Sequence, residues 1–194
     1  RTIPLRAECC LKKPLSAEAC VTMEGLPIRM SVVVSGFDAI SAESSLWEKD
    51  QYLHSHKEKV YEYMRESTYF PFGVCFRGPT EEEHVVELHV AFSFRSRAKA
   101  HQNRLSEPQQ FSAARSLAAK KWEERLDQIQ IQGGTLAQQR TFYTAFYHSL
   151  IKPSEAHDES PFWPWDGPFF FDFSTLWDMY KTQLPLVLSL FPDE

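Results

Sequence analysis

The chain is 194 residues long, with 43% hydrophobic and 24% charged side chains, the balance of a folded domain rather than of a disordered segment. No apolar run approaches the roughly 20 residues that span a bilayer, so a membrane-spanning helix is not expected. A net charge of −5 lacks the basic footprint of a nucleic-acid binder. The chain opens at Arg1 with no charged-then-apolar leader, so any export signal is expected outside these residues.

In chain order, Cys9, Cys10, Cys20 and Cys75 fall into no metal or scaffold spacing. Unpaired thiols are the simpler expectation, with a Cys20–Cys75 bridge as the alternative. Met30–Val34 is β-branched and stops at Ser35-Gly36, which predicts a short strand. His54 and His56 lie in a polar stretch with no third ligand at a useful spacing, which makes a zinc site a weak reading. Residues 57–66 fit helix or strand equally. Phe70–Phe76 reads as extended, with Pro71 and Gly73 pointing to an edge position or a bulge. In His84–Phe94 the period is strict. Val86, Leu88, Val90, Phe92 and Phe94 alternate with Glu87, His89 and Ser93, which predicts a half-buried strand with its apolar side inward.

Beyond Phe94 the period becomes helical. Ser96–Leu105 is a short polar helix candidate, broken off before Pro108. Ser112 is placed to cap a helix over Ala113–Ile129, with Leu117, Trp122, Leu126 and Ile129 on one side. Gly133-Gly134 makes a stop. Thr135 and Gln138 then form a capping box for a helix that ends near Ile151, before Pro153. Phe142, Tyr143, Phe146, Tyr147 and Leu150 make that helix apolar on most sides, so it is expected to be buried, His148 included as a core histidine. Residues 153–173 read as loop. Ser174 is placed to cap a last helix whose stripe is Leu176, Tyr180, Leu184, Val187 and Leu188, with Pro185 kinking it near Thr182. Strands followed by helices make the fold class α+β, a β domain followed by an α domain.

The last third carries the chemistry. Residues 142–191 hold 14 of the 27 aromatic side chains, and no Lys or Arg lies between Pro153 and Tyr180. The same segment holds Glu155, Asp158, Glu159, Asp166, Asp172 and Asp178. Rings interleaved with carboxylates suit a sugar, whose C–H face lies on an indole while its hydroxyls donate to a carboxylate. Against that stands a packing role for Phe169, Phe170, Phe171 and Phe173. Trp163 and Trp165 are open to either role. Six acids in one loop give no way to choose a glycosidase acid/base pair.

Three segments, Gly133-Gly134-Thr135, Arg140–Leu150 and Ser174–Leu186 with its Ser-Thr-Leu-Trp-Asp-Met-Tyr-Lys-Thr run, resemble glycoside hydrolase family 92 in order and spacing. The resemblance covers residues 84–194 and is poor over 1–83. It implies an antiparallel β-sandwich portion over 1–95, a helical linker over 96–134, and the first helices of an (α/α)6 barrel over 135–194. It also implies a calcium-dependent, inverting exo-α-mannosidase that trims N-glycan mannose; family members are often exported. Trp177 and Asp178 would border the mannose subsite, Trp177 as a wall and Asp178 as hydrogen-bond acceptor. For Asp178 a surface ion pair with Lys181 is the alternative. No catalytic residue and no metal ligand is assigned here, because the family's general acid, general base and calcium (Ca2+) ligands are expected outside this chain. The partners implied are mannose-containing glycans and the remainder of the barrel. An isolated chain of this length is then expected to be inactive, as a piece of a longer enzyme or a decayed copy. A non-catalytic glycan-binding module and a purely structural fragment are the alternatives.

Overall fold

A computed structural model describes residues 3–13, 15–23, 26–36, 42–48, 51–53, 57–65, 72–78, 85–172 and 176–193. His54, His56, Phe70, Pro71, His84, Phe173 and Ser174, named in the sequence analysis, lie outside them. The chain divides into two compact units, residues 1–111 with 161–163, and residues 112–160 with 164–194.

The first unit is antiparallel β with one helix. Strands β1 (Ile3–Lys13), β2 (Ser16–Met23), β3 (Leu26–Ser35), β6 (Glu58–Arg65) and β8 (Glu87–Ser93) form a sheet in the order β6-β1-β2-β3-β8. A second sheet joins β5 (Gln51–Leu53), β4 (Glu43–Glu48) and β7 (Phe72–Arg77) in that order. Their shared core is Ala7, Cys9 and Ala19 of the large sheet against Leu46 of the small one, flanked by Leu11, Val21, Met30, Leu53 and Val74. Along β1 and β2 the pleat points Ala7, Cys9, Ala17 and Ala19 inward, and these small side chains let Leu46 settle at 1% exposure. Residues 57–66, ambiguous in sequence, supply the edge strand β6, and β7 is likewise an edge strand, where Gly73 leaves room for the Trp47 indole. All four cysteines are free thiols, so Cys20 and Cys75 are not bridged.

β8 corrects the expectation for its apolar side. The alternation holds, but Leu88, Val90 and Phe92 are exposed, Leu88 to 63%, while Ser93 is buried. In register, Val90 faces Val32, and Phe92 faces Met30. The apolar stripe is therefore on the sandwich's inner face. The small sheet covers β1 to β3 and does not reach this edge strand.

On the opposite face of the large sheet lies helix α1 (Arg97–Ser106), whose N-cap Ser96 accepts from the Lys99 amide at 2.9 Å. Its Ala100 is fully buried, and its Asn103 donates to the Phe92 carbonyl.

Helices build most of the second unit. α2 (Phe111–Leu126) starts one residue before the expected Ser112 cap, because its first amide donates to the Glu87 carboxylate at 3.2 Å. Its expected stripe is only half covered: Trp122 and Leu126 are half-buried and Leu117 is exposed. α3 (Leu136–Ser149) carries the capping box as expected, with Thr135 and Gln138 each accepting from the other's backbone. Its expected burial on all sides does not hold. Only Phe146 is buried, Phe142 and Tyr143 are half-buried, and Tyr147 and His148 are exposed, so His148 is not a core histidine. The Tyr143 hydroxyl donates to Ile129 O and accepts from the Ile131 amide, tying α3 to the α2–α3 connection.

The last helix is broken where Pro185 requires it. α4 (Leu176–Met179) is one turn, and α5 (Gln183–Leu190) begins after residues 180–182. Pro185 has no amide to give Lys181, and its ring would crowd that carbonyl, but it is tolerated in the first turn of a new helix. The break resets the helical phase. Leu184 and Val187 are half-buried, whereas Tyr180 and Leu188, expected on the same stripe, are exposed. Gln183 closes the end of α3 by donating to the carbonyls of Ser149 and Lys152.

Candidate functional site

The acidic aromatic segment is a hairpin rather than an unordered loop. Strands β9 (Ser154–Glu155) and β10 (Phe170–Phe171) pair antiparallel. The ladder continues through Ala156 N to Phe169 O (2.7 Å) and Asp158 N to Gly167 O (3.0 Å). Asp158 and Asp172 take φ of 59° and 62°, left-handed values that Asp adopts more readily than most residues. Asp172 is held by Lys152 at 3.0 Å. His157 stands between two carboxylates, 3.5 Å from Glu155 and 3.3 Å from Asp158.

Gly167 is fixed by its neighbour. The Trp165 indole lies on it and donates to Pro168 O at 3.2 Å, and a Cβ there would come within 2.7 Å of the indole nitrogen. Trp165 is thus pinned along one edge while its ring stays exposed. Phe162 and Trp163 are exposed too, their ring centres 5.8 Å apart. Phe169 and Phe171, by contrast, are half-buried and stack nearly parallel at 6.2 Å. Phe170 between them is half-buried as well.

Trp177 and Asp178 sit side by side on the one-turn helix α4. Both are exposed, Trp177 to 75%, the most open of the tryptophans described. The helix breaks before Lys181 completes the turn, and its ammonium stands over the Tyr180 ring at 5.4 Å. Thr182 holds the break by donating to the Asp178 carbonyl at 3.1 Å. The Asp178 position is thus fixed through its backbone.

A cavity of about 800 Å³ opens within the second unit among α2, α3, α5 and the hairpin. Trp122, Tyr147, Phe170 and Phe191 line it together with Arg125 and Lys152. Trp122 meets Tyr147 edge-on at 4.5 Å, and the Arg125 guanidinium lies 4.7 Å above Phe191. Neither Trp177 nor Asp178 lines it, and sequence reading did not gather its rings, which come from four separate elements.

Among the described residues, no group of three His, Cys, Asp or Glu side chains could hold a metal ion. The described residues thus offer no such cluster for the calcium that the family resemblance implies, and no chemistry is derived through it. Among them too, no helix is long and apolar enough to cross a membrane.

Comparison with known proteins accounts for this layout. Residues 98–194 match the model of the glycosyl hydrolase family 92 catalytic domain. A curated relative, an uncharacterized secreted glycosidase of Arthroderma benhamiae, is 33% identical over 127 residues, covering 62% of this chain and 16% of that protein. Among solved structures, the chain is similar to a family 92 inverting mannosidase of Bacteroides thetaiotaomicron (TM-score 0.73, 19% identity, 94% of this chain and 26% of that one). It is equally similar to a family 92 alpha-mannosidase of the same bacterium (TM-score 0.74, 15% identity, 94% and 26%). At such identities the structural likeness speaks for the fold. Its 94% coverage takes in strands from residues 1–83, where resemblance in sequence was poor. The chain spans about a quarter of the length of those structures and 16% of the fungal glycosidase. With half of its residues inside the family match, the chain belongs to glycosyl hydrolase family 92.

Proposed function

We propose that these residues are the sandwich-to-barrel junction of an inverting α-mannosidase that removes mannose from the N-glycans of glycoproteins. On this reading, residues 1–95 belong to the sandwich, 96–134 form the linker, and 135–194 open the (α/α)6 barrel. The match of residues 98–194 to the family's catalytic domain carries the proposal. The exposed Trp177–Asp178 pair supports a sugar-facing role. The indole offers a flat wall for the C–H face of a mannose ring, and the carboxylate can accept two hydrogen bonds from adjacent hydroxyls. The general acid, general base and calcium ligands belong to parts of the enzyme beyond these residues, so the chain alone binds but does not cleave.

Mannose release from α-mannosides, with and without calcium, tests the reading. The 194-residue chain is expected to release none, and a longer natural product containing it is expected to do so only with calcium. Calcium-dependent release by the 194-residue chain alone would overturn the assignment of the acid/base pair to other parts of the enzyme. A second reading, a non-catalytic glycan binder, is favoured by the exposed Trp165 with Asp166 next to it in the chain. It predicts mannose-oligosaccharide binding by a natural product no larger than 22.5 kDa.

A further inference from the structure

We propose a second binding site, for a small oxyanion, on the outer face of the large sheet beneath α1. Arg97 and Arg104 stand two turns apart on the face of α1 that meets the sheet, with Ala100 buried between them. Their surroundings differ. Arg97 pairs with the Glu8 carboxylate of β1. Arg104 is more deeply buried, at 9% exposure, yet meets a hydroxyl and an imidazole rather than a carboxylate. Its Nε donates to the Ser31 hydroxyl at 3.3 Å, and its Nη2 lies 3.4 Å from His101 Nδ1. Among the described residues, no carboxylate comes within ion-pairing distance of its guanidinium. A buried cation with no carboxylate beside it is costly, and an anion at the free edge of its fork would offset that cost.

There is room for one. A cavity of about 470 Å³ opens beside Arg104, lined also by Ser31, His101, Lys12, Ser16 and Glu18. Ser31 is buried and accepts from Arg104, so its own proton is available to donate into the cavity. Lys12 adds an ammonium at the rim. Glu18, directly across from Ser31 in the β2–β3 register, is the opposing charge, but it is engaged with Lys12 at 3.5 Å. The charged side chains of the lining, Lys12, Arg104 and Glu18, therefore sum to one net positive charge. A guanidinium fork, a hydroxyl and an ammonium in one lining suit a carboxylate, sulfate or phosphate group, whose oxygens can accept from such donors.

The test is calorimetric titration of the intact protein with inorganic phosphate, sulfate and acetate, against chloride at matched ionic strength. Saturable binding of at least one oxyanion is expected, and which one binds tells a tetrahedral ligand from a carboxylate. Arg104→Gln should weaken it about tenfold, and Lys12→Gln or Ser31→Ala by a few-fold. Glu18→Gln should tighten it, because it removes the one negative charge from the lining. Near-UV dichroism confirms folding of each variant, and Lys12→Gln and Ser31→Ala read the same site should Arg104→Gln not fold. No saturable heat with any oxyanion overturns the site. So does equal stabilisation of wild type and every variant by sulfate, which is its general salting effect. Loss of stability in Glu18→Gln without a gain in anion affinity overturns it as well, by making Glu18 the arginine's own counter-charge.

Discussion

The two units differ in how much of their apolar surface they bury by themselves. In the first, Ala7, Cys9, Ala17, Ala19, Val32, Val34, Leu46 and Ala100 are buried, while the stripe of β8, Leu105, Phe111, Phe162 and Trp163 are left open. In the second, Phe146 and Met179 are the only apolar side chains buried among the described residues, while Tyr147, Trp165, Trp177, Tyr180 and Leu188 are exposed. The sandwich closes because its layers meet face to face with small residues between them. The helices of the second unit have aromatic surfaces on more than one side, and a few helices cannot enclose one another in that way. Each large side chain left wet forgoes roughly 1.5–3 kcal/mol. That contrast supports reading the helices as the opening of a larger barrel.

The largest effect that would sharpen the contrast comes from emptying the sandwich. Leu46→Ala should cost about 2–5 kcal/mol, since the side chain is fully enclosed and Ala7, Cys9 and Ala19 are too small to fill the void. Denaturant unfolding measures this, and a loss below about 1 kcal/mol would mean that the two sheets are not closely packed. A second effect is confined to the same core by pH. Burial raises the Cys9 thiol from 9.0 to about 11, outweighing the lowering by Arg97, while Cys10 adds to the rise. The folded chain then keeps a proton that the unfolded chain gives up, so stability falls as pH rises from about 9 to about 11. The slope is roughly 1.4 kcal/mol per pH unit, about 2–3 kcal/mol in all, and it is complete above the folded value. Cys9→Ala should flatten that slope. Amide exchange should report the change in β1 and β2 and not in α3, since all four cysteines precede residue 76.

Smaller still is the cap of α3. Thr135→Ala removes the acceptor for the Gln138 amide and should cost about 1 kcal/mol, seen as faster exchange at residues 136–138, with Thr135→Ser restoring it. This feature was legible in full from sequence because a capping box is local: two side chains three residues apart and the backbone between them. The break at residues 180–182 was legible for the same reason, from Pro185. β1 and β2 were not, although Ala7-Glu8-Cys9-Cys10-Leu11-Lys12 alternates, because alanine and cysteine inside a strand carry little of the β-branched signal that marked β3. For β8 the period was right and the burial wrong, since alternation fixes which residues share a face but not whether anything covers that face. Trp177 and Asp178 were named through family resemblance, and nothing in their spacing alone selects them. The Arg104 cavity was hidden because Arg97 and Arg104 read as an ordinary polar helix until the partners across the sheet, Glu8 and Ser31, are known.

The smallest expected effect lies on the surfaces that the comparison calls open. Phe92→Ser in β8 and Leu188→Ser in α5 remove apolar side chains, one from each unit, that are 56% and 59% exposed. Neither leaves a cavity, so each should change stability by no more than about 0.5 kcal/mol, against several for Leu46→Ala. Both should lower the binding of a dye that reports exposed apolar surface, because each removes part of such a patch. A loss of 2 kcal/mol or more in Leu188→Ser would show that α5 is enclosed within these 194 residues. The second unit would then be a closed helical domain rather than the opening of a barrel, and the family's remaining helices would have to attach elsewhere. A null result in stability, with weaker dye binding, places that surface where a further layer of helices has to pack.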